Sequence, residues 1–251
     1  MRIGVIGSGN LARALVRGWG EPVLLTDGGS GRAATLAAEV GGEALRSNAE
    51  LTAQSDLVVL CHKPYQLDAV AHGCGGQARA IVSTLAGLSA AEVGAAWPGI
   101  PVVRVLPNTA TELGQGVSVV AEPEPGTVED ELLEAVLELF GRVGVVMRVP
   151  ERLLGAANAI SGVGPAYLAL VAEAWADAAV RHGLKPAEAV ALVAATMNGT
   201  AALLQAGDGD TLAVRRAVTS PGGVTARGLD ALERHGLRAA FGAAADEVLG
   251  A

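Results

Sequence analysis

The pattern of the sequence changes at Pro150, and this change constrains the fold more than any other feature. Before it, short β-rich apolar runs alternate with stretches of helical period, beginning with Asn10–Trp19. Such alternation predicts a parallel sheet with helices on both faces, a doubly wound α/β domain. We expect strands over residues 2–6, 23–26, 56–61, 80–84, 102–106, 117–121 and 145–149, with a weaker one over 43–46.

After Pro150 the strand-like runs end, and segments rich in Ala and Leu follow with helical period. Pro165 and Pro186 suit the first turns of helices, and Gly183 and Gly207 suit C-terminal caps. We expect helices over 151–158, 165–182, 187–205, 209–217, 222–234 and 237–249. The sequence therefore predicts a Rossmann-like domain over residues 1–149 and an all-α domain over residues 150–251.

The composition favours a cytoplasmic protein with a small-molecule ligand or a second copy as its partner. Of the 251 residues, 51% are hydrophobic and only 3% aromatic, which predicts an aliphatic core without metals or disulfides. The net charge of −8 argues against nucleic acid and anionic membranes. Cys61 and Cys74 lack a CxxC spacing, and the N-terminus lacks a signal-peptide core. Apolar runs are broken by charge, as by Glu173 and Asp177, before the roughly 20 residues that a bilayer requires.

A glycine turn separates the first expected strand from the first expected helix. In "IGVIGSGNLARAL" the turn has the form GxGxxA, the dinucleotide-binding fingerprint in its required strand-turn-helix setting. The first glycine permits the tight turn, the second lets the backbone approach a pyrophosphate, and the helix start offers free N–H groups. The residues predicted to bind the pyrophosphate are Gly7, Ser8, Gly9, Asn10, Leu11 and Ala12.

The end of the second strand bears on which dinucleotide is bound. Asp27 follows Gly9 by 18 residues, close to the roughly 20-residue spacing at which an acid binds the ribose hydroxyls of NAD. Asp27 therefore favours NADH. The alternative is NADPH, because Ser30 and Arg32 could bind a 2'-phosphate if Asp27 turned away.

Further polar groups follow other expected strands at the carboxyl edge of the sheet, where ligands of open α/β folds bind. Lys63 and Pro64 come directly after the strand over 56–61 and are interpreted as a cofactor loop. Their neighbour His62 is expected to be a satisfied imidazole at the strand end and not a catalyst. The motif "RVLPNT", residues 104–109, ends another strand at the same edge.

The turn "VTSPGGVT", residues 218–225, lies before an expected helix and contains no His, Cys or carboxylate. It lacks the clustered ligands of a metal site and the base that a serine nucleophile needs. Backbone N–H groups, hydroxyls and the positive end of a helix converge in such a turn. The sequence therefore predicts a site for a small carboxylate.

Taken together, these motifs resemble those of the pyrroline-5-carboxylate reductase family, which reduces a cyclic imine to proline. The residues that carry the resemblance are "IGSGNLARAL", "KP" at 63–64, "LPNT" at 106–109, "SGVGPAY" at 161–167 and "VTSPGGVT" at 218–225. They stand in family order and span nearly the whole chain.

The resemblance implies roles for individual residues. Asn48 would contact the adenosine ribose, and Lys63, Pro64 and the Ala86 backbone would line the nicotinamide side. Ser220, Gly222 and the N–H groups of Gly223, Val224 and Thr225 would hold the substrate carboxylate. Thr225 would also stand near the imine nitrogen as the catalytic residue, and Glu151 matches a substrate-side acid of some members. The cyclic imine arrives protonated, so no strong general acid is needed.

The resemblance also implies a homodimer of interlocked helical halves, assembled in many members into decamers. The active site would lie between the nucleotide domain of one chain and the helices of the dimer. The sequence departs from the common family pattern at four places. Asp27 replaces small or basic residues, His62 an Ala or Val, and Val224 a small residue or Thr. Arg216-Ala217 replaces a polar residue that often precedes the turn over 218–225.

Two other functions remain open on the residues alone. A hydroxyacid dehydrogenase with a helical second domain would need a base, commonly a lysine, but the only lysine after residue 150 is Lys185. A non-catalytic NAD(P)-binding sensor would bind nucleotide without turnover.

Overall fold

A computed structural model of the chain describes residues 1–76 and 78–250. By its internal contacts the chain divides into two compact units, Met1–Pro165 and the residues from Ala166 onward. The secondary structure changes at Pro150, as the sequence indicates. The first unit extends beyond that point because Leu154 is buried against Leu106 and Val119 of the sheet.

The strands of the described chain form one sheet of eight, and every expected strand is confirmed. They are β1 Ile3–Ile6, β2 Leu24–Thr26, β3 Glu43–Ala44, β4 Leu57–Leu60, β5 Ile81–Ser83, β6 Val102–Pro107, β7 Gly116–Glu122 and β8 Gly144–Pro150. Their order across the sheet is β3-β2-β1-β4-β5-β6-β7-β8.

The sheet is parallel from β3 to β6, but β7 runs antiparallel to β6. The prediction of a wholly parallel sheet is wrong at this one pairing. Between β6 and β7 the chain makes only a short 3-10 turn, Thr109–Leu113, which cannot carry a crossover to a parallel neighbour. A helical connection precedes β8, which pairs parallel with β7.

Helices cover both faces of the sheet, as the doubly wound prediction requires. They are α1 Asn10–Trp19, α2 Arg32–Val40, α3 Asn48–Gln54, α4 Leu67–Gly73, α5 Ala90–Ala96, α6 Asp130–Gly141 and α7 Leu154–Ser161. Neighbouring strand residues alternate between the two cores: Val59 packs in the first, whereas Val58 and Leu60 pack in the second. Both cores are mainly aliphatic, although Trp19 and Phe140 meet edge to face in the first.

The second unit is helical, in agreement with the sequence prediction. Its helices are α8 Gly164–Arg181, whose first residues lie in the first unit, α9 Pro186–Ala206, α10 Thr211–Ala217, α11 Val224–Arg234 and α12 Leu237–Leu249. Its buried core is small, being formed by Ala176, Ala189 and Val193.

Two helical stretches, Glu151–Arg181 and Pro186–Ala206, are long and apolar enough to cross a membrane by length and composition alone. The expectation that charges interrupt all such runs is therefore not met on these two criteria. Only 11% of the apolar 18-residue window within each stretch is buried in the chain. Exposed apolar side chains on α8 and α9 include Leu170, Trp175, Val190, Leu192 and Leu203.

Candidate active site

The GxGxxA turn has the geometry that a dinucleotide requires. Gly7 has a φ of +108°, and a β-carbon there would come within 2.7 Å of the Cys61 carbonyl. Gly9 is the N-cap of α1, and apart from Gly9 and its two chain neighbours no described residue has an atom within 4 Å of the place that its β-carbon would occupy. No side chain of the described residues caps this helix. The first turn of α1 is therefore open to an anion such as a pyrophosphate.

The predicted cofactor residues come together in one cleft at the carboxyl ends of β1, β2, β4 and β5. Those that line it are Gly7, Ser8, Gly9, Asn10, Leu11, Asp27, Asn48, Lys63, Pro64 and Ala86. Ala12 is the exception, because it is fully buried in the core. Its small side chain lets α1 pack closely on the sheet, so its expected contact with the pyrophosphate is corrected to a packing role.

Asp27 does not present a free carboxylate to this cleft. Its Oδ1 accepts hydrogen bonds from the amides of Gly29 at 2.8 Å and Ser30 at 3.1 Å. Its Oδ2 accepts from the hydroxyls of Ser8 at 3.1 Å and Ser30 at 2.8 Å, and from the Ala33 amide at 2.9 Å. Partial burial raises the pKa of Asp27, but these hydrogen bonds outweigh it and lower the pKa to about 2. Asp27 is therefore an ionised anchor of the loop that follows it.

Asn48, the first residue of α3, is oriented by a neighbour on β2. The Thr26 hydroxyl donates to Asn48 Oδ1 at 2.7 Å. Because this contact holds the oxygen, the amide nitrogen is the end left for a ligand. Asn48 also lines the cleft, in agreement with its expected place beside a ribose.

The segment after β4 brings His62, Lys63 and Pro64 to the cleft. His62 Nδ1 lies 2.9 Å from the Lys63 carbonyl, which can only accept, so Nδ1 carries the proton. Nε2 is buried and has no partner among the residues that the structure describes. The expectation of a fully satisfied imidazole is therefore wrong. Burial lowers the pKa of His62, and the hydrogen bond to Lys63 only partly opposes this.

Glu151 is held inside the first unit. Its Oε1 accepts from the Ala90 amide at 2.6 Å and from Arg104 Nη1 at 3.0 Å. Ala90 is the first residue of α5 and follows the loop that carries Ala86. One oxygen of the predicted substrate-side acid is thus already occupied, and Glu151 ties that loop to β6.

The turn before α11 is shaped as the sequence predicts. Gly222 has a φ of +69°, and a β-carbon on Gly223 would collide with the Ser220 hydroxyl. The Gly223 amide donates to the Ser220 carbonyl at 3.0 Å. Because this hydrogen bond lies within the turn, the expectation that the Gly223 amide holds the substrate carboxylate is corrected. In the described chain no side chain caps α11, which leaves the Val224 and Thr225 amides at its start for an anion.

Two residues near these sites escaped the sequence analysis. Arg227 Nη1 donates to the Gly222 carbonyl at 3.0 Å and so braces the turn. Its position one helical turn beyond Gly223 was the available signal. Tyr65 lines the nucleotide cleft and is 86% exposed. An aromatic side chain beside Lys63 and Pro64, in a chain poor in aromatics, was the signal there.

Comparison with known proteins places both halves of the chain. A family model described as pyrroline-5-carboxylate reductase dimerisation matches residues 151–250. Another, described as NADP oxidoreductase coenzyme F420-dependent, matches residues 2–87. The pyrroline-5-carboxylate reductase of Methanosarcina acetivorans is 34% identical over 96% of this chain and 92% of its own length.

Solved structures agree with this result. The 1-pyrroline-5-carboxylate reductase of Streptococcus pyogenes superposes with a TM-score of 0.90 at 28% identity, covering 100% of this chain and 97% of that one. The pyrroline carboxylate reductase of Plasmodium falciparum, solved with NADP bound, gives 0.89 at 25% identity, covering 99% and 95%.

Proposed function

The chain belongs to the pyrroline-5-carboxylate reductase family, and from this premise we propose how its residues reduce 1-pyrroline-5-carboxylate to L-proline. The protein is an NAD(P)H-dependent oxidoreductase. The observation that carries the residue assignment is the single cleft in which cofactor residues from Gly7 to Ala86 meet. A reduced nicotinamide, when bound there, supplies a hydride.

Within the cleft, the backbone from Gly7 to Leu11 holds the pyrophosphate at the open start of α1. Asn48 contacts the adenosine ribose, while Lys63, Pro64 and Ala86 line the nicotinamide side. Cys61 also lines this cleft, but burial raises the pKa of its thiol to about 12. It therefore stays protonated and takes no part as a nucleophile.

The substrate carboxylate binds at the turn before α11. The Ser220 hydroxyl and the amides of Val224 and Thr225 donate to it, and the positive end of the helix favours the negative charge. Gly222 and Gly223 give the turn its shape. The Thr225 hydroxyl stands beside the ring nitrogen.

The chemistry asks little of the protein beyond orientation. The substrate arrives as a protonated iminium, so hydride addition forms a C–H bond at the C=N carbon and the π electron pair moves to nitrogen. The nitrogen keeps the proton that it brought, which gives proline and the oxidised nucleotide. The turn can therefore work without a His or a carboxylic acid.

We also propose that the helical half forms a homodimer in the cytoplasm, with a decamer as the larger assembly. The dimerisation model covers this half, and the exposed leucines of α8 and α9 would be buried by a second copy. Burying each such side chain is worth about 1.5–3 kcal/mol. A partner chain thus accounts for the two apolar stretches without a membrane.

The alternative of a hydroxyacid dehydrogenase finds no suitable lysine base among the described residues after Pro150. Lys185 is 82% exposed and pairs with Glu188 at 3.5 Å at the start of α9. It is a surface residue and not the buried lysine that would activate an alcohol.

A turnover assay tests the proposal. Purified protein is mixed with 1-pyrroline-5-carboxylate and NADPH or NADH, and the absorbance of the reduced nicotinamide is followed while proline is quantified. Stoichiometric loss of the reduced nucleotide and gain of proline are expected. Nucleotide binding without consumption would instead identify the sensor.

A further inference from the structure

The loop after β2 suggests which nucleotide this reductase uses, an inference that rests on the proposed function. We propose that Asp27 is a positioning residue for NADPH: through Ser30 it orients Arg32 to bind the 2'-phosphate. An acid at the end of the second strand usually accepts hydrogen bonds from the ribose hydroxyls of NAD and so indicates NADH. In this chain we infer the opposite preference.

The first step of the argument is the occupancy of the Asp27 carboxylate. A carboxylate offers about four lone-pair directions. Asp27 already accepts from five donors of the described chain, at 2.8 to 3.1 Å. A ribose diol would have to displace some of them. Asp27 therefore cannot bind the ribose hydroxyls without dismantling the loop.

The second step is the backbone that makes this possible. Gly29 and Gly31 have φ values of +90° and +75°, a region that other residues rarely adopt. These two conformations fold residues 28–33 around the Asp27 side chain, with the Gly29 and Ala33 amides aimed at it. The sequence GGSGR is thus built to enclose an internal carboxylate.

The third step is a relay from Asp27 to a cation. Ser30 Oγ donates to Asp27 Oδ2 at 2.8 Å and accepts from Arg32 Nε at 3.0 Å. The relay fixes the guanidinium through Nε and leaves its two terminal nitrogens for another acceptor. Paired N–H groups of this kind match the oxygens of a phosphate.

The fourth step is charge. Arg32 lines the cleft and is exposed. None of the ion pairs formed by the described residues includes Arg32. Five hydrogen-bond donors already stabilise the negative charge of Asp27. Among the described residues, Arg32 is therefore a cation without an ion-pair partner at this end of the cleft. A 2'-phosphate would supply the missing anion, whereas the 2'-hydroxyl of NADH would not.

The test measures nucleotide binding without substrate, so it does not depend on turnover. NADPH and NADH are titrated into the wild type, Arg32→Gln, Ser30→Ala and Asp27→Asn. Arg79→Gln is the control, because Arg79 is an exposed, ion-paired cation that precedes β5 at the opposite edge of the sheet. We expect the wild type to bind NADPH more tightly than NADH.

Arg32→Gln should raise the Kd for NADPH roughly 10- to 100-fold, the range for a lost charge-assisted hydrogen bond, and leave that for NADH within about threefold. Ser30→Ala should also raise the Kd for NADPH, by a smaller factor. The readout is the ratio of the Kd for NADH to the Kd for NADPH, which should fall toward one in both variants and stay at the wild-type value in Arg79→Gln.

Asp27→Asn separates the two roles. If Asp27 organises the loop, this variant weakens NADPH binding; if Asp27 binds the ribose, it weakens NADH binding and strengthens NADPH binding, which overturns the proposal. Tighter binding of NADH by the wild type, or an Arg32→Gln variant that binds NADPH normally, would also overturn it. Should Asp27→Asn fail to fold, Ser30→Ala, which breaks the connection between Asp27 and Arg32, decides in its place, and normal NADPH binding by Ser30→Ala would overturn the proposal. Normal binding without reduction of 1-pyrroline-5-carboxylate would contradict the proposed function and not this inference.

Discussion

Arg104 and Glu151 form an ion pair at 3.0 Å, with the arginine side chain almost fully buried and the glutamate one third exposed. Among the described carboxylates, Glu151 is the ion-pair partner of Arg104, while Glu92 lies near enough for the arginine to help lower its pKa. Glu151→Ala should lower the free energy of unfolding by about 2–4 kcal/mol, because it removes the ion-pair partner of an almost fully buried arginine. Glu151→Gln keeps a hydrogen-bond acceptor and should lower the free energy of unfolding by less than Glu151→Ala does. Urea unfolding of both variants provides the measurement.

The same pair distinguishes two roles for Glu151. If it only ties the loop before α5 to β6, the KM for 1-pyrroline-5-carboxylate in Glu151→Gln should stay near the wild-type value. A large rise in that KM with unchanged stability would instead support the substrate-side role implied by the family resemblance.

The two glycines of the nucleotide turn should respond differently to alanine. Gly7→Ala combines a φ of +108° with a clash against Cys61, so we expect a loss of both stability and nucleotide binding. Gly9→Ala meets open space and should fold normally, yet its methyl group would stand where the pyrophosphate approaches. Thermal unfolding and nucleotide titration of the two variants separate these effects. Equal loss of stability in both would contradict the assignment.

At the turn before α11, the two hydroxyls should affect different kinetic constants. Ser220→Ala removes a donor to the substrate carboxylate and should raise the substrate KM by roughly 10- to 100-fold. Thr225→Val is nearly isosteric but removes a hydroxyl that can donate to the electron pair forming on the ring nitrogen, so it should chiefly lower kcat, by about tenfold or more. Steady-state kinetics at saturating NADPH measures both. Unchanged constants in both variants would mean that the turn does not hold the substrate.

His62 offers a test of pH dependence. Its folded pKa is lowered by burial, so the neutral imidazole stabilises the fold above the unfolded pKa of about 6.5, and this contribution is lost as the pH falls below it. His62→Val removes the imidazole that takes up a proton in the unfolded chain when the pH is below about 6.5. The variant should therefore lose less stability than the wild type between about pH 7 and pH 5. Parallel pH dependences in denaturant titrations would show that His62 does not carry this effect.

Much of the fold followed from the sequence because its signals are local. Asn10–Trp19 was predicted at the bounds that the structure shows, and Pro186 begins α9 as its fixed φ indicates. Gly7, Asp27 and Lys63 were predictable as cleft residues for the same reason: each lies just after a strand, and parallel strands bring such positions to one edge. Asn48 and Ala86 were expected in the cleft only from the family resemblance.

The features that escaped prediction depend on contacts between distant residues or on backbone conformation. Arg104 and Glu151 are 47 positions apart, and nothing in either motif pairs them. The saturation of Asp27 depends on the positive φ values of Gly29 and Gly31, which the sequence permits but does not require. The antiparallel β7 depends on how briefly the chain turns after β6, a matter of loop conformation and not of strand propensity.

The exposed apolar side chains of α8 and α9 give the last prediction. Leu170 on α8 and Leu192 on α9 are 65% and 57% exposed in the single chain, an arrangement that costs free energy unless a partner covers them. Substituting either with Glu places a charge in the proposed interface, which is unfavourable when desolvated. We expect both variants to sediment as monomers at concentrations at which the wild type sediments as a dimer or larger assembly. Leu113→Glu is the matched control, since Leu113 is 79% exposed in the turn between β6 and β7 of the nucleotide-binding unit. It should leave the sedimentation coefficient unchanged.

If the α8 and α9 variants also sediment like the wild type, the assembly does not use these two leucines, and the apolar surface of α8 and α9 needs another partner.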